Sequence, residues 1–375
     1  MTRSAIPTVV VLLLLAVACV ARAQYSVGFG QVDLSPSADQ LANREVWQGG
    51  YGFWKFRGAP TGVHDPIWAK AVVVLGANST SAALVVLDST GASNRILKAI
   101  REGVQGATGI PATHVLVSAT HTHSGPDLQG LWGFVSDAYR QQVIDGAVQA
   151  IVNAHRSAVP ARLLLSKGVG SASNRRDWGY TDTELTVLDA VDAATGQRIG
   201  TLINFAAHPV TLGSSNLEFS SDYCHYTRER AEGSLGAPVV YVNGAIGDVS
   251  PQGTGSGFDR AQSYGYEIAD VAVAAIAAGQ EEVSGDFRVF VDTQLFTHPV
   301  SNPAFKLAFK VGMLDYDYND DDSITTQASY VRIGNLVQGV AFPGESLTRN
   351  GLPIKEAMVA PYRFFFGLNG DTLGV

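Results

Sequence analysis

The chain of 375 residues contains two cysteines, Cys19 and Cys224. Cys19 falls in an N-terminal leader, so only Cys224 is left after processing. No intramolecular disulfide can then form, and no thiolate metal cluster can be assembled. Any metal site must use imidazole and carboxylate. Basic runs are also missing: 26 Lys and Arg stand against 34 Asp and Glu, a formal charge of −8. That balance excludes an electrostatic nucleic-acid binder. After the first twenty residues no apolar stretch is long enough to span a bilayer. Internal repeats and long low-complexity linkers are absent, and nothing points to a protein partner. Two signatures of common hydrolases, G-x-S-x-G and H-E-x-x-H, are absent as well.

The leader runs from Met1 to Ala23. It has a basic Arg3, an apolar run from Pro7 to Val20, and Ala21-Arg22-Ala23 before Gln24. This is the layout of a secretory signal cleaved after Ala23, and the run is short for a membrane span. Cys19 after Ala16-Val17-Ala18 offers a lipoprotein alternative, disfavoured by the smooth run to an A-x-A site. The expected product is residues 24–375, secreted or periplasmic. Its charge is −10, because Arg3 and Arg22 leave 24 basic residues against 34 acidic.

Hydrophobic residues make up 46% of the chain, ample for one large core. Short apolar runs alternate with helical patterns, which predicts an α/β fold with a mixed β-sheet, flanking helices and β-hairpins. Strands are expected at 69–75, 82–87, 114–119, 185–193, 199–206 and 239–242. Helices are expected at 95–104, at 135–155 (where Tyr139, Val143, Ala147 and Ile151 recur every fourth residue) and at 266–278. The last third reads as β-rich, at 287–296, 330–341 and 363–366.

Four loops carry unusual chemistry. In Val115 to Asp127, VLVSATHTHSGPD, an apolar run ends in His121 and His123. Residues i and i+2 of an extended chain face the same side, so both imidazoles can face one pocket. Phe205-Ala206-Ala207-His208-Pro209 also ends an apolar run, and Pro209 favours extended backbone at His208. Phe342-Pro343-Gly344-Glu345 brings a carboxylate after Val337 to Ala341. These three ligand-type residues lie 87 and 137 residues apart, unlike the short local spacings of structural zinc sites. A His/His/Glu set suits a zinc ion that acidifies water. Taken singly, a His before Pro is also a turn or capping residue, and P-G-E is also a plain turn. The fourth loop, Asn243-Gly244-Ala245-Ile246-Gly247-Asp248-Val249-Ser250-Pro251, follows an apolar strand. Its glycines permit sharp turns that aim Asp248 and Ser250 at a pocket. Ser250 is open to three readings there: nucleophile, water-orienting group or turn cap.

Together, SATHTHSGPD, FAAHPVTLGSSN with SSD, NGAIGDVSPQ and PGE resemble, in order and approximate spacing, the neutral/alkaline non-lysosomal ceramidases. Val63-His64-Asp65-Pro66 and Ser173-Asn174-Arg175 fit the same pattern, and the likeness runs from about Gly28 to Leu373. The resemblance implies that His121, His208 and Glu345 bind one zinc ion per chain. It implies that His123 lines the catalytic site, that Arg175 helps hold the acyl carbonyl, and that Ser250 is catalytic. Asp248 is a weaker substrate-binding candidate. The implied reaction is hydrolysis of the amide of N-acylsphingosine to fatty acid and sphingosine, with a lipid or N-acyl amide substrate met at a membrane surface. His123 is the expected proton donor to the departing amine.

This sequence departs from the family in two respects. Family members carry a zinc-binding tyrosine and a second catalytic tyrosine in a segment that begins like Gly367-Leu368-Asn369-Gly370-Asp371-Thr372-Leu373-Gly374, and this chain runs only to Val375. They also carry a C-terminal immunoglobulin-like domain. The expectation is therefore a single catalytic domain, 24–375, with three protein ligands on zinc. Two alternatives stand beside it. One is a zinc hydrolase of another N-acyl amide or lipid ester; the other is a non-catalytic lipid- or glycan-binding relative. Of the remaining features, the acidic run Leu314 to Asp322 lacks the Gly and Glu of an EF-hand loop and reads as a solvated loop. The aromatic, glycine-rich segment Trp47 to Phe56 suits an acyl-chain groove, a membrane contact or plain core packing. His64, His114, His155, His225 and His298 read as structural or surface residues.

Overall fold

The computed structural model describes residues 25–52 and 57–371. The leader, Phe53, Trp54 and Phe56 of the aromatic segment, and residues 372–375 lie outside them.

The architecture is mixed α/β, as expected. A nine-stranded sheet has the spatial order Val239–Asn243, Arg198–Phe205, Glu184–Asp192, Val159–Val169, Tyr25–Asp33, Trp68–Leu75, Ser81–Leu87, Val115–Ala119, with Glu281–Glu282 added beside Val159–Val169. The pair at each end of this order is parallel, and the pairs between are antiparallel. Strands such as Ser81–Leu87 are buried along their whole length, which is why they read as unbroken apolar runs.

Two helices cover one part of the sheet. Asn94–Thr108 begins at Ser93, whose hydroxyl accepts the Ile96 N–H, and ends at Gly109 in the left-handed region. Asp137–Arg156 is capped by Ser136 in the same way. Their apolar stripes bury Ile96, Ile100, Tyr139, Val143 and Ile151 against Val73, Val85 and Val117. The longer helix presses so closely on Tyr25–Asp33 that a Cβ at Gly28 would lie 2.0 Å from the Ala154 carbonyl oxygen. Helices Tyr223–Leu235 and Gly257–Ala278 cover the other part, over Val187, Ile203 and Tyr241. Cys224 is buried there, its thiol pKa pushed well up by burial, as a packing group.

A second sheet, Val289–Pro299, Ser323–Ile333, Val337–Ala341, Tyr362–Phe366, shares a core with the large one through Val289, Val331, Phe364 and Phe366. The large sheet bends enough that Val239–Asn243, at one end of its order, touches Ser81–Leu87 and Val115–Ala119 at the other. Tyr362–Phe366 also touches Val239–Asn243 and Arg198–Phe205. The carboxyl ends of three distant strands are thereby gathered in one place.

Several elements differ from expectation. Residues 330–341 are two strands of a hairpin, turned at Gly334 with φ +57°. The helix expected from Tyr266 starts nine residues earlier, at Gly257. The acidic run is docked as well as solvated: Leu314 and Tyr316 are buried, Asp315 accepts the Ser93 hydroxyl at 2.9 Å, and Asp317 pairs with Arg95 at 2.8 Å. Among the described residues no helix is long and apolar enough to cross a membrane.

Candidate metal centre

Each loop singled out in the sequence is anchored to another by backbone hydrogen bonds. The His123 N–H donates to the Pro209 carbonyl at 3.2 Å, and the His208 N–H to the Val249 carbonyl at 3.0 Å. The Gly247 N–H donates to the Ser346 carbonyl at 2.9 Å, beside Glu345, and a Cβ at Gly247 would strike the Glu345 carbonyl oxygen at 2.5 Å. The Asn243 amide donates to the Thr120 carbonyl. His121 itself has φ +65°, a left-handed conformation uncommon for a residue with a Cβ. Such strain persists only where the surroundings over-determine it.

These anchors bring His121, His123, His208 and Glu345 together. One ligand nitrogen from each histidine lies within 4.8 Å of the others, and all three residues are buried. The Glu345 carboxylate adds its two oxygens, Oε1 at 3.1 Å from His121 Nε2 and Oε2 at 3.4 Å from His208 Nε2. What lies behind each ring separates the histidines. His121 Nδ1 is 2.5 Å from the Thr90 carbonyl oxygen, and His208 Nδ1 is 2.9 Å from that of Ile246. A carbonyl only accepts, so both Nδ1 atoms carry a proton, and in a neutral ring that leaves the Nε2 lone pair free for a metal. That carbonyl-backed arrangement is the usual support of metal-bound histidine. His123 differs: its Nδ1 is buried without a partner, and its Nε2 lies 3.1 Å from that of His121.

The electrostatics agree with this division. Burial acts to raise the Glu345 pKa, but His121, His208 and Arg175 outweigh it and hold the carboxyl down at about 2. Burial first, then His121 and Arg175, lower His208 to about 3 despite Glu345. His123 is pushed well below the ordinary imidazole value by burial, then by His121, His208, Arg57 and Arg175. With both rings neutral, the form in which imidazole binds a metal, their Nε2 lone pairs would face a carboxylate at contact distance. Acceptors do not hold one another at that distance unaided. The donor set fits a divalent cation of the zinc type, with His121 and His208 as nitrogen ligands and Glu345 or His123 completing the set.

Of the other candidates, Arg175 acts directly on this centre. Arg175 donates to the Gly247 carbonyl at 2.6 Å, and its charge is felt at His123, His208 and Glu345. Ser250 lies on the short strand Val249–Pro251, paired with Ser173, one strand over from the Arg175 loop. The Asp248 carboxylate is fully engaged. Oδ1 accepts the Thr348 N–H and hydroxyl at 2.7 and 2.8 Å, and Oδ2 accepts the Asn174 amide at 2.8 Å. Asp248 thus ties the loop bearing Arg175 to the one that follows Glu345.

Some supporting groups escaped the sequence reading. Asp222 accepts from the Thr211 hydroxyl at 2.5 Å and the Leu212 N–H at 3.1 Å, securing the turn after His208. Asp88 takes a bidentate Arg228 at 2.9 and 2.8 Å and fixes the chain just before Thr90. The SSD segment signalled Asp222; nothing signalled the Thr90 and Ile246 carbonyls, since every residue has one. A cavity of about 280 Å³ opens beside Glu345, lined in part by Phe296, Phe342 and Pro343.

The comparisons agree with the geometry. Residues 25–264 match the model of the family described as neutral/alkaline non-lysosomal ceramidase, N-terminal. The chain belongs to this family. It is 27% identical over 353 residues to the neutral ceramidase of Pseudomonas aeruginosa, covering 81% of this chain and 50% of the relative. It is 28% identical over 230 residues to neutral ceramidase A of Dictyostelium discoideum, covering 52% of this chain and 32% of the relative. The chain thus spans about a third to a half of the curated relatives it matches. The fold matches the crystal structure of the Pseudomonas aeruginosa neutral ceramidase with TM-score 0.76 at 21% identity, over 92% of this chain and 67% of that one. A structure described as ceramidase complexed with C2 gives TM-score 0.74 at 20% identity, over 92% and 68%.

Proposed function

We propose that this chain is an exported zinc-dependent amidohydrolase, acting on the N-acyl amide of ceramide or a closely related lipid. The observation that carries the reading is the meeting of two carbonyl-backed imidazoles with the Glu345 carboxylate. His121, His208 and Glu345 would hold the ion, one per chain, with His123 as the neighbouring imidazole. Zinc held there supplies Lewis acidity, which makes hydroxide available near neutral pH.

The remaining work falls to the protein. Arg175, oriented by the Gly247 carbonyl, is the donor for the amide oxygen as negative charge builds on it; loss of one such donor typically costs about 10²–10³ in rate. His123 takes the proton released by the attacking water and passes it to the departing amine. Its Nδ1 is not committed to a protein acceptor. Ser250 orients water or substrate from the Val249–Pro251 strand. The phenyl rings beside Glu345 suit an aliphatic chain better than a peptide or sugar.

The test is turnover of N-acylsphingosine by the purified protein. Fatty acid release that a chelator abolishes, zinc restores and His121→Ala eliminates supports the reading. Turnover insensitive to chelator overturns it, as does saturable lipid binding without turnover.

A further inference from the structure

Three buried cations among the described residues pair with a carboxylate, and a fourth, Arg101, donates to the Val115 carbonyl. Arg228 is bidentate on Asp88, Lys355 meets Asp182 at 2.8 Å, and Lys70 meets Glu232 at 2.5 Å. Arg57 does neither. Its Nε, Nη1 and Nη2 are all buried and none has a hydrogen-bond partner. The guanidinium lies over the Tyr51 ring, 5.0 Å from its centroid, and that ring stands edge-on to His123 at 4.8 Å. Gly49, Gly50 and Tyr51 lie directly against His123 and the loop that carries it. The Gly49 N–H donates to the Gly125 carbonyl at 3.0 Å, and a Cβ at Gly50 would strike His123 Cγ at 2.4 Å. Burial lowers the Arg57 pKa to about 10, opposed by Tyr51, so the group stays charged near neutral pH.

A desolvated guanidinium without acceptors is costly, and its planar fork matches one ligand best, a carboxylate bound through both oxygens. Arg175 already has a protein carbonyl, whereas all of Arg57's donors are free. Amide hydrolysis supplies the missing partner. Water adds its oxygen to the acyl carbon, the C–N bond breaks, and the amine leaves with a proton, giving a carboxylate and an ammonium. We propose that Arg57 receives the carboxylate of the fatty acid, whether formed in the site or entering from solution, as a binding partner separate from the metal ligands. The inference rests on the amidohydrolase reading for the origin of the product. Arg57 then governs product retention and inhibition by free fatty acid more than recognition of the uncharged amide.

The experiment is calorimetric titration of octanoate, and of octanamide as its uncharged counterpart, into the purified protein with zinc and after chelation. Octanoate is expected to bind more tightly than octanamide and to go on binding after zinc is removed. Arg57→Met should weaken octanoate at least tenfold and leave octanamide and the zinc content unchanged, and Arg57→Lys should lose part of the affinity. In turnover, the inhibition constant for added octanoate should rise in step, with KM for the amide little changed. Three results overturn the proposal: octanoate binding that vanishes with zinc, equal weakening of octanoate and octanamide by Arg57→Met, or loss with Arg175→Met alone. Should Arg57→Met fail to fold, unmodified protein decides: equal affinity for octanoate and octanamide after chelation overturns the proposal, and a clear preference for octanoate upholds it. None of these readings requires turnover, so a chain that binds octanoate without hydrolysing amides refutes the enzyme reading and leaves Arg57 as a carboxylate site.

Discussion

Two loops of this molecule each bury a carboxylate, and the two carboxylates have opposite surroundings. In the 243–251 loop, Asp248 faces donors only: the Thr348 N–H and hydroxyl and the Asn174 amide. In the 342–346 loop, Glu345 faces imidazole nitrogens whose protons are committed elsewhere, to Thr90 and Ile246. Both residues follow glycine in loops that end apolar strands, and from sequence both suited a site. Satisfied hydrogen bonds make Asp248 a tie between loops. Convergence with two carbonyl-backed imidazoles makes Glu345 the proposed metal ligand.

The contrast is breakable by substitution, and the largest effect is expected at Glu345. Glu345→Ala should cut zinc affinity by orders of magnitude and remove chelator-sensitive turnover while the chain still folds cooperatively; retained zinc would move Glu345 out of the ligand set and leave the three histidines as the better description. Asp248→Ala should do the reverse. It strands three donors on two residues, Thr348 and Asn174, each worth roughly 1–3 kcal/mol when buried and unpaired, so thermal unfolding should shift down by many degrees. Folded Asp248→Ala protein at low temperature should still bind zinc. Equal zinc loss in both variants would erase the distinction.

A smaller effect concerns pH. The folded His208 pKa, about 3, lies below its ordinary 6.5, so the unfolded chain binds more protons between those values. Glu345, held at about 2 against an ordinary 4.5, adds stability above 4.5 that is lost as pH falls toward 2. Both signs agree. Chelated protein should lose stability as pH falls from about 6.5, and zinc should move the onset lower, since protons and metal compete for the same nitrogens. Melting curves at several pH values, with and without zinc, check this; a flat apo-protein profile would contradict it. The smallest effect is expected at Ser250→Ala, which should leave zinc content unchanged and reduce turnover less than His123→Ala. A loss as large as that of His123→Ala would make Ser250 a direct participant.

Much of this candidate site was legible in the sequence because its proposed ligands sit at strand ends, where an apolar run stops abruptly at a histidine or at P-G-E. Val115–Ala119 and Arg198–Phe205 announce themselves as buried runs, and so do His121 and His208 after them. Their convergence was not legible, since it depends on the bend that brings one end of the large sheet to the other. Tyr25–Asp33 was missed because Gly28 and Gly30, small to admit a helix, dilute its apolar pattern. Helix Tyr223–Leu235 was missed because polar Thr227 and Arg228 lie on its buried face, Arg228 there to meet Asp88. Arg57 went unremarked for a related reason. A lone arginine in a loop reads as surface charge until its nitrogens prove to be buried and without a hydrogen-bond partner.

The central claim is most directly tested by crystallography at the zinc absorption edge. One anomalous peak per chain, within about 2.0–2.2 Å of His121 Nε2, His208 Nε2 and a Glu345 oxygen, is the predicted result. Crystals grown with zinc that show no peak among these atoms, or show Glu345 turned away from both imidazoles, would contradict the account.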